Sequence, residues 1–194
     1  AWDLAIFGGD CHAQVRRVLS RPVAEVAASS GQSAAPFAVL VAQEPHWPLE
    51  RILLVVSGVD ADNAAVNWAL RLAYPSDATV SVLAVVPPVP AMYHGLSRME
   101  QSLRSLLSTD TALGHQIRQA ARRLVASGVD STLRLRQGAP EQQICREMVE
   151  RDYDLAIVAT NPCRWWLRRL KGDPICSILR WASCPVLFVE PTTE

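Results

Sequence analysis

Short apolar segments alternate with helical patterns along most of this chain, and this alternation limits the fold more than any other feature. From residue 51 onward, five segments have the length and composition of strands. They lie at residues 51–56, 78–86, 131–137, 155–158 and 184–190. Strands that are separated by helices pair in parallel through right-handed crossovers. The sequence therefore predicts an α/β fold with an open, mostly parallel, five-stranded and doubly wound sheet.

The first 42 residues repeat part of the sequence near the end of the chain. Asp3-Leu4-Ala5-Ile6 reappears 151 residues later as Asp154-Leu155-Ala156-Ile157, and Ala35-Pro36-Phe37 aligns with Cys184-Pro185-Val186 at an offset of 149. Loops tolerate the difference between these offsets. We therefore interpret residues 1–42 as the strand, helix and strand that end an upstream copy, residues 43–50 as a linker and residues 51–194 as a complete copy. We expect this partial β-α-β repeat to pack against the complete domain or a second chain, and the parent protein to be longer.

Charge and composition exclude several classes of function. Lysine plus arginine and aspartate plus glutamate each number 19, so no net charge attracts the chain to nucleic acid. The five cysteines form no Cys-x-x-Cys pair and the four histidines share no ligand spacing, so we predict neither a disulfide framework nor a metal site. The longest apolar runs are far shorter than the roughly 20 residues of a membrane helix. We expect a cytoplasmic location.

Four segments resemble the universal stress protein family in their order and spacing. They are Ile52–Gly58, Gly138-Ala139-Pro140, Tyr153–Ile157 and Cys184–Val189. The resemblance implies an adenine-nucleotide alpha-hydrolase-like sheet whose final strand pairs with another final strand, either in a homodimer or between two copies in one chain. In this chain, Phe37–Val41 would then pair with Val186–Val189. Domains of this family are often joined to membrane transporters and antiporters, so the resemblance also suggests such a parent protein and membrane association through it.

The resemblance also implies a nucleotide pocket, but its motif is altered in this chain. Family members that bind nucleotides carry Gly-x-x-Gly, nine further residues and Gly-Ser or Gly-Thr, which bring backbone N–H groups to phosphate oxygens. The candidate pocket residues are Ser57, Gly58, Ala159, Thr160, Gly172 and Asp173. Ala159 adds a Cβ, Pro162 has no N–H, and Asp173 would repel phosphate. We therefore predict a degenerate pocket without a cofactor; the alternative is ATP or AMP binding.

A segment with paired tryptophans and several cations lies between the two halves of this motif. It contains Arg164, Trp165, Trp166, Arg168 and Arg169, with Lys171 close by. These side chains are a candidate interaction surface for anionic lipid or another protein, and their cations would also favour a phosphate. The alternative is a helical loop that packs tryptophan over the sheet edge and leaves its cations solvated.

No residue pattern in the chain supports catalysis. Asp60 and Asp62 adjoin a predicted helix start, where capping explains them better than acid–base chemistry does. The chain has neither a Gly-x-Ser-x-Gly motif nor a Gly-x-x-x-x-Gly-Lys phosphate loop. The sequence therefore favours a non-catalytic regulatory module of the stress response, and an ATP- or AMP-binding sensor domain is the alternative.

Overall fold

The computed structural model describes residues 4–8, 38–42, 48–58, 61–86, 107–108, 110–159 and 174–189. These ranges contain seven strands and four helices of eight residues or more. The strands are β1 (Leu4–Gly8), β2 (Ala38–Ala42), β3 (Arg51–Val56), β4 (Thr79–Val86), β5 (Ser131–Gln137), β6 (Leu155–Ala159) and β7 (Val186–Val189). The helices are α1 (Ala61–Ser76), α2 (Ala112–Ala126), α3 (Pro140–Glu150) and α4 (Pro174–Trp181). No helix within these ranges is both long enough and apolar enough to cross a membrane.

One sheet contains all seven described strands, in the order β1-β2-β7-β6-β3-β4-β5. Every neighbouring pair is parallel except β2 and β7, which are antiparallel. The five strands predicted from residue 51 onward are present as β3 to β7, and their order is that of a doubly wound sheet. The predicted count of five was wrong for the sheet as a whole, because β2 pairs with β7 and thereby adds β1 and β2 to it.

The antiparallel pair of β2 and β7 is the strand pairing that the sequence predicts. Ala38 to Val41 pair with Val189 to Val186, whereas Phe37 lies outside the described residues. Within this ladder Val39 pairs with Phe188, and these two residues are 149 apart, the same offset that relates Pro36 to Pro185. The two strands are therefore related by a local two-fold axis that matches the sequence repeat. The interpretation of residues 1–42 as an upstream copy stays a prediction.

Alternate residues of the central strands face opposite helical layers. Ile52 and Leu54 of β3 lie in a core with α1 and α2, whereas Leu53 and Val55 lie in a core with α3 and α4. All four side chains are 1% exposed or less. A strand that is buried on both faces needs apolar residues at every position, which explains the uninterrupted apolar run of β3. The helices therefore cover both faces of the sheet.

A side chain of the Tyr153–Ile157 motif fastens the beginning of β3 to β6. Asp154 Oδ2 accepts hydrogen bonds from the backbone N–H groups of Glu50 at 2.9 Å and Arg51 at 2.8 Å. The N–H of Asp154 in turn donates to the carbonyl of Arg51 at 2.9 Å. A carboxylate that accepts two backbone N–H groups makes charge-assisted hydrogen bonds, which are stronger than neutral ones. This motif residue thus fixes the register of the two central strands.

Candidate functional site

The carboxyl ends of β3 and β6 mark the point at which the connections of the sheet change direction. The chain leaves β3 toward β4 on one side, and β6 lies on the other side of β3. In doubly wound sheets, ligands bind in the crevice outside the strands at this switch point. Ser57 and Gly58 follow β3, and Ala159 ends β6 directly beyond the Val55–Val158 pair. Three of the six predicted pocket residues therefore lie together at this crevice.

The remaining residues of the predicted sites lie outside the described ranges. They are Thr160, Gly172 and Asp173 of the pocket, and Arg164, Trp165, Trp166, Arg168 and Arg169 of the interaction surface. Their roles stay predictions from the sequence.

A buried carboxylate occupies the backbone donors at the end of β3. Asp62, in the first turn of α1, is 1% exposed. Its Oδ2 accepts hydrogen bonds from the N–H groups of Gly58 at 2.7 Å and Ser57 at 3.1 Å. An acidic side chain that reaches back from the first turn of a helix to upstream N–H groups is the arrangement of a capping box. These bonds join the helix to the preceding turn, so the predicted capping of its first turn by Asp62 stays a prediction, and Asp60, the other predicted cap, lies outside the described residues.

The first turn of α2 packs against the same turn. Gly58 has a φ of +78°, and a Cβ at this position would lie 2.9 Å from the backbone nitrogen of Leu113. Glycine satisfies both conditions, since it accepts positive φ and has no side chain to collide with the neighbouring backbone. Thr111 fixes the beginning of α2, because its hydroxyl accepts the N–H of Gly114 at 3.1 Å. The carboxyl end of β3 is thus in contact with both α1 and α2.

The described part of the crevice holds no evident catalytic or metal-binding set of side chains. Within the described ranges, no three His, Cys, Asp or Glu residues are grouped as metal ligands.

Burial raises the pKa of the Cys184 thiol to about 12, so this side chain is not a nucleophile near neutral pH. Burial also raises the pKa of the half-buried Cys145. Both cysteines pack among apolar side chains of the α3–α4 core.

A second polar cluster lies between β5 and α3, and the sequence analysis did not identify it. Glu147 of α3 is 1% exposed, and its carboxylate is surrounded by cations. It accepts hydrogen bonds from Arg136 Nε and from the Tyr153 hydroxyl, the latter at 3.0 Å. It also forms ion pairs with Arg134 and Arg151, each at 3.6 Å. We call these five residues the Glu147 cluster.

The pKa values of two members of this cluster reflect their surroundings. Burial raises the pKa of the Tyr153 hydroxyl. Burial alone would lower the pKa of Arg136, but the hydrogen bonds that it donates to Glu150 and Glu147 raise it overall. With both pKa values raised, the Arg136 and Tyr153 side chains are protonated donors to Glu147 at neutral pH.

The helical pattern of α3 explains why the sequence analysis missed Glu147. A count of apolar residues at helical spacing favours Ile144, Cys145, Met148 and Val149 as the inward face of α3. The structure buries Ile144, Glu147 and Met148, and leaves Val149 67% exposed. A signal was nevertheless present: Arg134 and Arg136 are two residues apart in a strand, so both point toward the same face of the sheet.

The strand order, the helices on both faces and the crevice at the switch point define an open, doubly wound α/β protein of the kind that binds ligands at the carboxyl ends of its strands. The model of the Universal stress protein family matches residues 48–190, and the chain therefore belongs to this family. No curated protein sequence is detectably similar to the chain.

Solved structures of universal stress proteins share this fold. A universal stress protein in complex with cAMP is 22% identical, with a TM-score of 0.54, and the match covers 74% of this chain and 98% of that one. UspA from Lactobacillus plantarum is also 22% identical, with a TM-score of 0.53 and coverage of 74% and 99%. A universal stress protein from Archaeoglobus fulgidus is 14% identical with a TM-score of 0.61; the match covers 98% of this chain, which spans 61% of that protein's length.

Proposed function

We propose that this chain is a non-catalytic regulatory module of the stress response, in which the crevice at the switch point no longer holds a nucleoside triphosphate. The observation that carries this proposal is the position of the Asp62 carboxylate, which accepts the N–H groups of Ser57 and Gly58 at the end of β3. Besides the glycine motif that follows β6, the backbone N–H groups at the end of β3 are donors at this edge that an anion can accept from. In this chain an internal anion already uses them.

Charge and space at the crevice support the same conclusion. The Asp62 carboxylate is buried, where a negative charge repels a nearby phosphate more strongly than it would in water. The backbone of Leu113 lies against Gly58, so the end of β3 is covered by the beginning of α2. The sequence adds that Asp173 and Pro162 replace residues that would donate to phosphate in the family's motif.

The alternative is an adenine-nucleotide sensor. It is favoured by the crevice itself, which lies where such folds bind ligands, and by the cAMP complex of one structural neighbour. Arg164, Arg168 and Lys171 would supply positive charge for a phosphate in this case. ATP or AMP would then bind without the full set of glycines.

Isothermal titration calorimetry of the whole chain with ATP and magnesium, AMP and cAMP distinguishes the two proposals. We expect no saturable heat from the unaltered chain. In the Asp62→Asn variant, which keeps an oxygen acceptor but removes the charge, we expect weak binding of ATP to appear. The matched control is Asp152→Asn, because that side chain is an exposed acid away from the crevice. Saturable heat in the unaltered chain that disappears in Gly172→Glu would instead establish the sensor.

The proposal includes the absence of catalysis. Hydrolysis of ATP requires a positioned water or base and a metal-binding acid, and we assign no such set to this chain. We expect phosphate release from ATP and magnesium to remain at the rate of the protein-free control. Release above that rate that is abolished by Gly172→Glu would contradict a purely regulatory role.

We further propose that the module is a cytoplasmic domain of a larger protein, such as a membrane transporter or antiporter, and that residues 1–42 end an upstream copy. The β2–β7 pair supports the upstream copy, since Val39 and Phe188, which correspond in the sequence repeat, pair with each other. Because β2 occupies the outer edge of β7, this pairing replaces a homodimer through β7. We expect a monomer in sedimentation velocity; a dimer that persists in the Leu40→Lys variant would show that other surfaces associate.

A further inference from the structure

The outer edge of β5 carries backbone groups that bond to no other described strand. β5 is the last strand of the sheet, with β4 on its inner side. The carbonyl of Asp130 accepts the N–H of Val80, and the N–H of Gly138 donates to the carbonyl of Val86. Even-numbered residues of β5 therefore direct their backbone groups toward β4, and the alternation of a strand directs those of the odd-numbered residues outward. The outward residues are Ser131, Leu133, Leu135 and Gln137.

Positive charge is concentrated along one face of this edge. The Glu147 cluster and its neighbours place four guanidinium groups around two carboxylates. The cations are Arg134, Arg136, Arg146 and Arg151, and the anions are Glu147 and Glu150. The Nε of Arg134 is buried and has no hydrogen-bond partner among the described residues, while 32% of that side chain is exposed. This buried Nε lies 3.6 Å from Glu147 Oε1, so the exposed third of the Arg134 side chain is the part that a second carboxylate would meet.

The other face of the same strand is apolar. Leu133 and Leu135 pack partly buried against the core that β4 shares with α2. A strand placed beside β5 would therefore have arginines next to alternate side chains on one face and leucines next to those on the other. The arginines on one face attract acidic side chains, and the leucines on the other face pack against aliphatic ones. The edge therefore favours a strand in which acidic and aliphatic residues alternate.

We propose that the outer edge of β5 binds an extended acidic peptide in which carboxylates alternate with aliphatic side chains. Such a peptide adds an eighth strand to the sheet, with hydrogen bonds to the four outward residues and carboxylates beside Arg134 and Arg136. A second copy of this chain is a poor occupant, since pairing of β5 with itself would bring arginines opposite arginines. The binding is independent of the crevice, because β4 lies between β3, which borders the crevice, and β5.

A labelled seven-residue peptide that alternates glutamate with valine tests the proposal by fluorescence anisotropy against the whole chain. We expect saturable binding that weakens as salt screens the charges. The peptide in which lysine replaces glutamate should not bind. Hydrogen exchange supplies the location: the amides of Leu133 and Leu135 should become protected, whereas those of Arg134 and Arg136, which already point to β4, should not change.

Two variants separate the backbone contribution from the charge. Gln137→Pro removes an outward N–H at an exposed edge position, where proline is tolerated, and should weaken binding of the glutamate peptide. Arg134→Gln should weaken it about fivefold, and the control Arg122→Gln, an exposed arginine on α2, should leave it unchanged. Equal binding of the lysine peptide, absence of binding by the glutamate peptide, or protection of amides outside β5 would each overturn the proposal.

Discussion

Replacement of Glu147 by glutamine tests whether the buried carboxylate holds β5 and α3 together. The side chain is 1% exposed and is bonded to Arg136 and the Tyr153 hydroxyl. Glutamine keeps the volume and one oxygen acceptor but removes the charge that compensates the partly buried Arg136. Removal of one member of a buried ion pair costs 3–5 kcal/mol as a rule, and we expect about 3 kcal/mol here because part of the hydrogen bonding survives.

Urea denaturation followed by circular dichroism measures this loss. With a slope of about 2 kcal/mol per molar urea, the unfolding midpoint should fall by about 1.5 M. Glu150→Gln is the matched control, since Glu150 lies on the same helix, also bonds to Arg136, and is much more exposed. Its midpoint should move far less. The double variant Arg136→Gln with Glu147→Gln should recover part of the loss, because no uncompensated charge remains at that pair.

A Glu147→Gln variant that is no less stable than the Glu150→Gln variant would contradict this prediction. That result would mean that water or other groups compensate Arg136 when the carboxylate is absent. It would also mean that Glu147 does not hold Arg134 and Arg136 in place at the edge of β5. An unchanged midpoint together with an unchanged slope would be decisive, since a change in slope alone reports on the compactness of the unfolded state.

Three further predictions concern single side chains. Gly58→Ala should destabilise the fold by more than about 2 kcal/mol, because the residue has a positive φ and the new Cβ meets the backbone of Leu113. Gly128→Ala should cost only about 1 kcal/mol, because that residue also has a positive φ but nothing lies within 4 Å of the new Cβ. Urea unfolding midpoints compare the two variants. Thr111→Ala should cost about 1 kcal/mol, measured in the same way, since the hydroxyl caps α2. The third prediction concerns pH. Burial raises the pKa of Cys184 from 9.0 to about 12, so the neutral thiol contributes its full stabilisation of the fold below pH 9, and this stabilisation is lost as the pH rises toward 12. In that window the stability of the unaltered chain should fall more steeply than that of Cys184→Ala, by about 1.4 kcal/mol per pH unit, and parallel slopes would show that the thiol ionises equally in both states.

The strands were predictable because the sheet is buried on both faces. β3 and β6 have no exposed face, so their sequences are continuous apolar runs that periodicity alone identifies as strands between helices. The pairing of β2 with β7 was predictable from the repeat together with the family resemblance. The size of the sheet was not, because strand count depends on which edges meet in three dimensions and leaves no trace within any single segment.

The crevice was predictable only in part. Parallel strands bring their carboxyl ends to one edge, so the positions of Ser57, Gly58 and Ala159 at neighbouring strand ends follow from the sequence, whereas their role in a pocket stays a prediction. The contact between Gly58 and Leu113 joins residues that are distant in sequence, and no local pattern encodes it. Glu147 was missed for another reason: a count of apolar residues along a helix treats every charge as solvent-exposed, whereas burial here is stabilised by partners on β5.

The segments in which this chain resembles its family make hydrogen bonds that hold the strands of the sheet together. Asp154 binds two backbone N–H groups at the start of β3, and the carbonyl of Pro185 accepts the N–H of Ala156 at 2.9 Å. The turn at Gly138 closes the end of β4 through a hydrogen bond to Val86. At the crevice, in contrast, the donors at the end of β3 are bonded to Asp62. The N–H groups at the end of β3 are therefore part of the hydrogen bonding that holds the fold, as are those that Asp154 binds at the beginning of this strand, and a phosphate at this edge would have to compete with Asp62 for them.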